Sequence, residues 1–522
     1  MWKRGWRDGV WSELDRPWDL VVVGGGITGA GILAEASRHG LRVLLVEARD
    51  FASGTSSRST KLVHGGLRYL RQGQFLVTRK SVKERERMLD EGRGLVEPLA
   101  FSLAAFPGDK MPRWMFGVGL SIYDAIAWKW AHERLNVAEL LHHIPALEGS
   151  GVEGGYRYFD AQTDDARLTL RVLQEAVRRG GVALNYAPAI KLLRGGEGQV
   201  TGVVVKDCAP ASSGRTVEVR AKIVINATGA WADELRGELG EARRLRKIRG
   251  SHLVFPAHKI RVKEAVGFMH PRDQRAVFAV PWEGVTLVGT TDVDHEGSLD
   301  EEPRIAESEA SYILEGARKV FPSLNLTEAD VISTFSGVRS VVDTGVPDPS
   351  KESREHAVWR EKGLLTITGG KLTTWALMAR EALQAAEAEL GPLKERTRIL
   401  EENPAVEGWP EALSEAQRRR IQGRLGEGTG EVAHDHELAE SIGGSMALYS
   451  ELRHAAREEG CVTLGDLLLR RVRVGLLLPE GGLREMARIR AVAQPELGWD
   501  DATWDLEERR YRETWKSSYG VP

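Results

Sequence analysis

The sequence predicts an α/β protein in three parts: a Rossmann-like dinucleotide-binding domain, a second domain with a mainly antiparallel sheet, and a helical C-terminal domain. Three observations predict this. A strand, glycine turn, helix, strand and terminal acid follow one another over 19–47. Short strand patterns crowd 250–292, and beyond about 390 the texture is charged, alanine-rich and poor in strand signals. At 522 residues the chain exceeds the roughly 250–300 at which a single core stops growing. The expected division is a Trp-rich extension (1–17), a discontinuous dinucleotide-binding domain (18–80, 150–250 and 355–390), a substrate domain (81–149 and 251–354) and the helical domain (395–522).

The first element is the most specific. Asp19-Leu20-Val21-Val22-Val23 is apolar enough for a buried parallel strand. Gly24-Gly25-Gly26-Ile27-Thr28-Gly29 then turns the chain into a helix, and Arg42 to Glu47 forms the next strand. Gly24 permits the turn, Gly26 admits a pyrophosphate to the backbone, and Gly29 lets the helix sit close to the sheet. A carboxylate at Glu47 accepts hydrogen bonds from an adenosine ribose and repels a phosphate on it, which favours FAD or NAD over NADP. With 57 glycines a lone GxGxxG carries little weight; the ordered context is what gives it meaning.

Further along, Gly54-Thr55-Ser56-Ser57-Arg58-Ser59-Thr60-Lys61 reads as a hydroxyl-rich loop, leading to Leu62-Val63-His64-Gly65-Gly66-Leu67-Arg68-Tyr69. Residues 76–91 read as an exposed charged helix, and 163–180 as a helix with apolar spacing. Strands are expected at 182–186, 200–205 and 222–229, the last returning beside the first strand, with a hairpin tip at 208–215. Residues 303–320 read as a helix; Leu364 to Thr368 is a strand, followed by Gly369-Gly370 and a helix from near Leu372.

Composition excludes several classes. A net charge of −3 supplies no global field for nucleic acid, so an anionic ligand must be met by local arginines. Cys208 and Cys461 form neither a disulfide framework nor a metal cluster, which fits a reducing compartment, and no secretory signal is evident. His434, Asp435 and His436, and likewise His142-His143, lack further ligands and read as solvent-exposed. Trp2, Trp6, Trp11 and Trp18 alternate with Lys3, Arg4 and Arg7; they suit either a lipid headgroup layer or packing against their own domain. The aromatic run 113–130 is barely long enough to span a bilayer and carries Asp124, so a buried or surface-seated helix is expected.

Taken together, the glycine turn, Thr55-Ser56-Ser57 through Lys61-Leu62, His64 to Tyr69, Asp164 to Leu168, Asn226 to Gly229 and Gly250-Ser251-His252 form an ordered set. Gly289 to Asp292, Ser336-Gly337-Val338-Arg339 and Gly369 to Thr374 complete it. This set resembles the FAD-dependent glycerol-3-phosphate dehydrogenase family, the aerobic, membrane-associated type, over roughly 18–385, and 464–471 is similar to its C-terminal helical domain. The resemblance implies a FAD-binding domain of the glucose/amino-acid-oxidase type and oxidation of sn-glycerol 3-phosphate to dihydroxyacetone phosphate. Electrons would pass to a membrane quinone at the cytoplasmic face of the inner membrane. Related oxidases that use oxygen carry a long middle-domain insertion, and none is evident between Val266 and Arg275.

By the same resemblance, FAD is held non-covalently by Gly24, Gly26, Ile27, Thr28, Gly29, Glu47, Ala48, Thr55, Ser56, Ser57, Lys61, Leu62, His64, Gly65 and Gly66. Ala189, Thr228, Gly229, Gly370, Lys371, Leu372 and Thr373 complete that set, and Arg68, Tyr69, His252, Arg339, Arg354, Lys371 and Thr373 face the substrate. Arginines suit the phosphate because a guanidinium donates to adjacent oxygens and stays charged when desolvated. Hydride transfer also requires the C2 hydroxyl proton to leave. His252 is the expected base, with Lys371 as the alternative, and Lys371 and Arg339 as electrostatic groups. His64 is expected to orient its loop. An amino-acid or amine oxidase acting on a carboxylate is the alternative enzyme, and a binding protein with structural flavin the non-enzymatic one. The helical tail is open to three roles: capping the substrate entrance, forming a homodimer, or supporting a quinone-facing surface.

Overall fold

The computed structural model describes residues 1–67, 70, 74–128, 130–210, 212–349, 352, 355–393 and 398–522. Among them the strands form two sheets, of eight and ten strands. The first runs in the order His356–Glu361, Leu364–Gly369, Thr216–Asn226, Trp18–Val23, Val43–Val46, Val182–Leu184. Its central strands are parallel, with Val22 opposite Ile225 on one side and Leu45 on the other. Thr216–Asn226 therefore lies beside the first strand, as its apolar sequence requires.

A parallel sheet is covered on both faces, so its strands are apolar throughout. Leu20, Val22, Leu45 and Ile223 pack with Ala30, Leu33, Leu170 and Ala382 on one face. Val21, Val23, Leu44 and Val224 pack with Trp11, Leu14 and Val203 on the other. The helix Ile27–Arg38 is wedged between Asp165–Arg178 and Trp375–Gln384. Gly31 is required there, because a Cβ would lie 2.8 Å from the Trp375 ring.

The second sheet is mainly antiparallel and runs Val293–Asp294, Leu245–Pro256, Val285–Gly289, Ala276–Trp282, Ala265–Met269, Val96–Ala104, Gly155–Thr163, Leu62–Val63. Ser333–Val342 pairs along Leu245–Pro256. Leu62–Val63 and Gly155–Thr163 belong to this sheet although the sequence places 18–80 and 150–250 in the dinucleotide-binding domain. The chain enters the second sheet just before Leu62–Val63 and leaves it just after Gly155–Thr163, and the local pattern is the same in either.

Two local expectations are corrected. The helix Phe75–Glu91 is half-buried rather than exposed, with Val77, Ser81, Val82 and Met88 on its inner face. Lipid contact by the N-terminal tryptophans gives way to packing: Trp2, Trp11 and Trp18 are buried, and the Trp2 ring lies 5.1 Å from that of Phe51. His434 and His436 are solvent-exposed, as expected, and donate through Nε2 to the carbonyls of Glu407 and Gly408. The 113–130 region folds as a surface helix, Arg113–Ala127, with Phe116, Leu120 and Tyr123 inward. Asp124 is buried but satisfied by His132 Nδ1 at 2.7 Å and the Ala131 amide at 2.9 Å.

The C-terminal region is helical, including Glu415–Leu425, Tyr449–Glu458, Met486–Leu497 and Asp501–Ser518. Its apolar side chains divide between a small cluster of their own, around Ile421, Leu425 and Leu448, and a larger shared one. Leu452, Leu467, Ile489 and Trp504 join Phe101, Val254 and Phe335 of the second sheet in one cluster.

The tightest packing in the fold is the glycine turn, where a Cβ on Gly29 would collide with the Gly24 carbonyl oxygen. Gly29→Ala is expected to lower the unfolding free energy by about 1–3 kcal/mol in urea titrations, as an overpacked core does.

Candidate active site

Parallel strands in register end together. Val23 faces both Val46 and Asn226, and the residues after them, Gly24, Glu47 and Ala227, share one edge of the sheet. The loops beyond that edge enclose a cleft of about 470 Å³, within the roughly 300–1,000 Å³ usual for small-molecule sites. Gly24 adopts φ 113°, and a Cβ on it would lie 2.6 Å from the Ala227 carbonyl oxygen. Only glycine keeps this wall thin. A Cβ on Gly26 would likewise meet Ser56 Oγ at 3.0 Å.

Gly24, Gly26, Ile27, Thr28, Glu47 and Ala48 line the cleft from the first two strands. Thr55, Ser56, Ala189, Thr228 and Gly229 line it from neighbouring loops, and Gly370, Lys371, Leu372 and Arg339 from the seam between the sheets. Glu47 is locked by two amides: Gly25 N donates to Oε2 at 2.6 Å and Arg49 N to Oε1 at 2.8 Å. Burial raises its pKa, and the two amide bonds oppose that rise. Ser56 Oγ accepts the Ile27 amide at 2.9 Å, tying the hydroxyl-rich loop to the helix start.

The seam carries the positive charge. Thr55 Oγ1 donates to the Val338 carbonyl at 2.5 Å, and Ser340 Oγ lies 3.1 Å from Thr368 Oγ1, so the sheets are bonded together beside Arg339. Arg339 pairs with Asp292 at 2.8 Å and donates to the Thr291 carbonyl at 3.2 Å, yet 31% of its side chain remains exposed. Asp292 also receives Arg275 at 2.8 Å. Lys371 Nζ donates to Ser81 Oγ at 2.8 Å, and Ser81 Oγ donates to the Val77 carbonyl at 2.8 Å.

Other expected residues sit further in. His252 is buried and does not line the cleft; its Nε2 is 2.9 Å from Thr60 Oγ1 and its ring stacks on Phe335 at 4.5 Å. Its Nδ1 has no hydrogen-bond partner among the described residues. Burial, then the charges of Lys61 and Arg339, hold its pKa well below 6.5. Lys61 is wholly buried and ion-paired with Asp165 at 2.8 Å, so its ammonium is structural; burial lowers its pKa to about 8. Gly29, Ser57, Leu62, His64, Gly65, Gly66 and Thr373 are likewise absent from the lining. Gly65 is close-packed against Tyr123 and Val82, and Thr373 Oγ1 donates to the His64 carbonyl at 3.2 Å. Arg68, Tyr69 and Arg354 lie outside the described residues.

Sequence reasoning missed Trp231, Ser340 and Arg49 in the lining. Trp231 lies two residues after Gly229, Ser340 follows Arg339 and Arg49 follows Glu47-Ala48, so extending each motif by one or two residues would have found them. Arg49 lies 5.5 Å from the Trp231 ring.

A glycine-walled cleft at the ends of parallel strands, with a ribose-type acid and a helix start, fits a dinucleotide. The fold and cleft thus define a dinucleotide-binding protein, and comparison with known proteins makes it an FAD-dependent oxidoreductase. The model of the FAD dependent oxidoreductase family matches residues 19–351, and that of the C-terminal domain of alpha-glycerophosphate oxidase matches 365–504. The aerobic glycerol-3-phosphate dehydrogenase of Bacillus subtilis (strain 168) is 34% identical over 498 residues, covering 89% of each chain. That of Staphylococcus saprophyticus is 38% identical over 391 residues, 74% of this chain and 70% of that protein. The crystal structure of glycerol-3-phosphate dehydrogenase from Bacillus halodurans complexed with FAD superposes with a TM-score of 0.77 at 28% identity, covering 99% of this chain and 98% of that one. The chain belongs to the aerobic glycerol-3-phosphate dehydrogenase family, and its cofactor is FAD.

A buried neutral histidine makes stability depend on pH. The unfolded chain binds a proton near pH 6.5 that native His252 refuses, so its effect is absent above 6.5 and stability falls as pH drops below it. The fall in melting temperature from about pH 7 to about pH 5 is expected to be smaller in His252→Phe than in the wild type.

Proposed function

We propose that this chain oxidises sn-glycerol 3-phosphate to dihydroxyacetone phosphate and passes the electrons to a quinone in the bilayer. The observation that carries the substrate half is the meeting in one cleft of Arg339, from the second sheet, and Lys371, from the turn after a strand of the first. A phosphorylated alcohol brings two negative charges, and a partly exposed guanidinium meets adjacent phosphate oxygens with paired donors. Gly250 makes room for it, since any side chain there would displace the Arg339 guanidinium. Asp292 holds the guanidinium in place from the buried side.

The bound flavin supplies the acceptor for the hydride that leaves C2. What remains for the protein is the hydroxyl proton. In this reading a neutral His252 accepts it, its ring clamped by Phe335 and Thr60. Lys371, steadied by Ser81, offsets negative charge that develops on the alcohol oxygen. Arg68, Tyr69, Arg354 and Thr373 are assigned to substrate binding by family likeness. The relatives' names, aerobic glycerol-3-phosphate dehydrogenase, support the same substrate.

Membrane contact is assigned to the helix Arg113–Ala127 and its packed neighbour Phe75–Glu91. Trp114, Met115, Val118 and Ile122 are exposed along the first helix, Trp128 and Trp130 just beyond it, and Phe75 and Leu76 at the start of the second. Arg79, Lys80 and Lys83 are exposed on the second helix. Apolar and aromatic side chains beside cations are the composition of an interfacial helix. No described helix is long and apolar enough to cross a membrane.

Anaerobic glycerol 3-phosphate is expected to bleach the flavin, with glycine, sarcosine and proline leaving it oxidised; the reverse pattern would transfer the assignment to a carboxylate substrate. Arg339→Met is expected to lower kcat/KM about a hundredfold, ~3 kcal/mol. Trp114→Ser/Ile122→Ser is expected to abolish flotation with anionic liposomes while flavin reduction in solution continues at the wild-type rate.

A further inference from the structure

The C-terminal arginines Arg470, Arg471 and Arg473 take no part in the chemistry above, yet all three are buried, and each has a partner more than four hundred residues earlier in the chain. Arg470 Nε donates to Asp50 Oδ2 at 2.5 Å and Arg471 Nη2 to Asp50 Oδ1 at 2.8 Å. Arg473 Nη2 donates to the Ser57 carbonyl at 3.0 Å and to Asp165 Oδ1 at 3.3 Å. The same Ser57 carbonyl accepts Lys61 Nζ at 2.7 Å.

Asp50 and Ser57 are the two ends of one short loop. Between them, Ser53, Gly54, Thr55 and Ser56 line the cofactor cleft, and Ser56 holds the Ile27 amide. Apart from a 3-10 turn at Thr55–Ser57 the segment has no regular structure, so its path is set by the bonds of Thr55 and Ser56 in its middle and by what grips its ends. One end is an acid fixed by two guanidinium groups; the other is a neutral carbonyl that receives two cations. The second arrangement is costly in isolation and is compensated by Asp165, which pairs with both cations. The arginines come from a π-helical turn, Asp466–Arg471, and from Arg473 at φ 65°. These departures from α geometry redirect neighbouring side chains toward the loop.

We propose that Arg470, Arg471 and Arg473 are positioning residues for FAD: the C-terminal region clamps both ends of the cleft loop and thereby sets how tightly the cofactor is held, without touching it. This gives the helical tail a task in cofactor retention that is independent of the substrate.

The test is the rate at which diluted holoenzyme releases FAD, followed by the rise in flavin fluorescence at a temperature well below unfolding. Arg473→Met is expected to speed release roughly ten- to hundredfold, the effect of one lost charged hydrogen bond. Arg473→Lys keeps the charge and is expected to fall between Met and wild type. Arg420→Met is the control: Arg420 is equally buried, in the same region, but bonds Glu283 and Glu451. It should lower the melting temperature and leave FAD release unchanged. Wild-type release from the Arg473 variants, or equal acceleration by Arg420→Met, overturns the proposal. If Arg473→Met does not fold, Arg473→Lys against Arg420→Met decides by the same comparison.

Discussion

Parallel strands that end in register oblige everything functional to gather at one edge of the sheet. Trp18–Val23, Val43–Val46 and Thr216–Asn226 share that register, so the glycine turn, Glu47 and the 227–229 turn emerge side by side. The helix Ile27–Arg38 can begin there only because Gly29 lets it come down onto the Gly24 carbonyl. The second sheet adds its own contribution at the same place, through Ser333–Val342 and its Arg339.

Charge is distributed accordingly. Toward the cleft the molecule presents a guanidinium and an ammonium held by neutral or singly acidic partners. Behind the cleft it buries acids and bases in full pairs: Lys61 with Asp165, Arg471 with Asp50, Arg167 with Glu459. Breaking such a pair leaves an uncompensated buried charge, so each pair fixes relative position more than it adds net stability. Several of these pairs join the C-terminal helices to the cofactor domain, which continues the physical union begun by their shared apolar cluster.

Much of the architecture was legible in the sequence because periodicity and turn chemistry are local. The first strand, glycine turn and helix, the returning strand 222–229, the 307–320 helix and the strand before Gly369-Gly370 all declare themselves this way. Sheet membership did not, since Leu62–Val63 and Gly155–Thr163 read the same in either sheet. The exposed reading of Phe75–Glu91 also failed: its charged residues hid an inner face spaced through Val77, Ser81, Val82 and Met88. At the cleft, residues inside short motifs were found directly. Gly65 lies outside the cleft lining: a glycine signals close approach without naming what approaches, and what packs on it here is Tyr123 and Val82.

From residues alone came the dinucleotide chemistry: the spacing of Gly24, Gly26 and Gly29 and an acid at the end of the second strand demand it by sterics and charge. Family, and with it FAD, followed from ordered motifs. Tertiary structure alone decided which cations face the cleft and which are buried in pairs, as Arg339 and Lys61 show. It also seated the N-terminal tryptophans indoors and left Trp114 and Ile122 outside. The reason is that exposure and ion pairing depend on partners hundreds of residues away, and no local pattern encodes those.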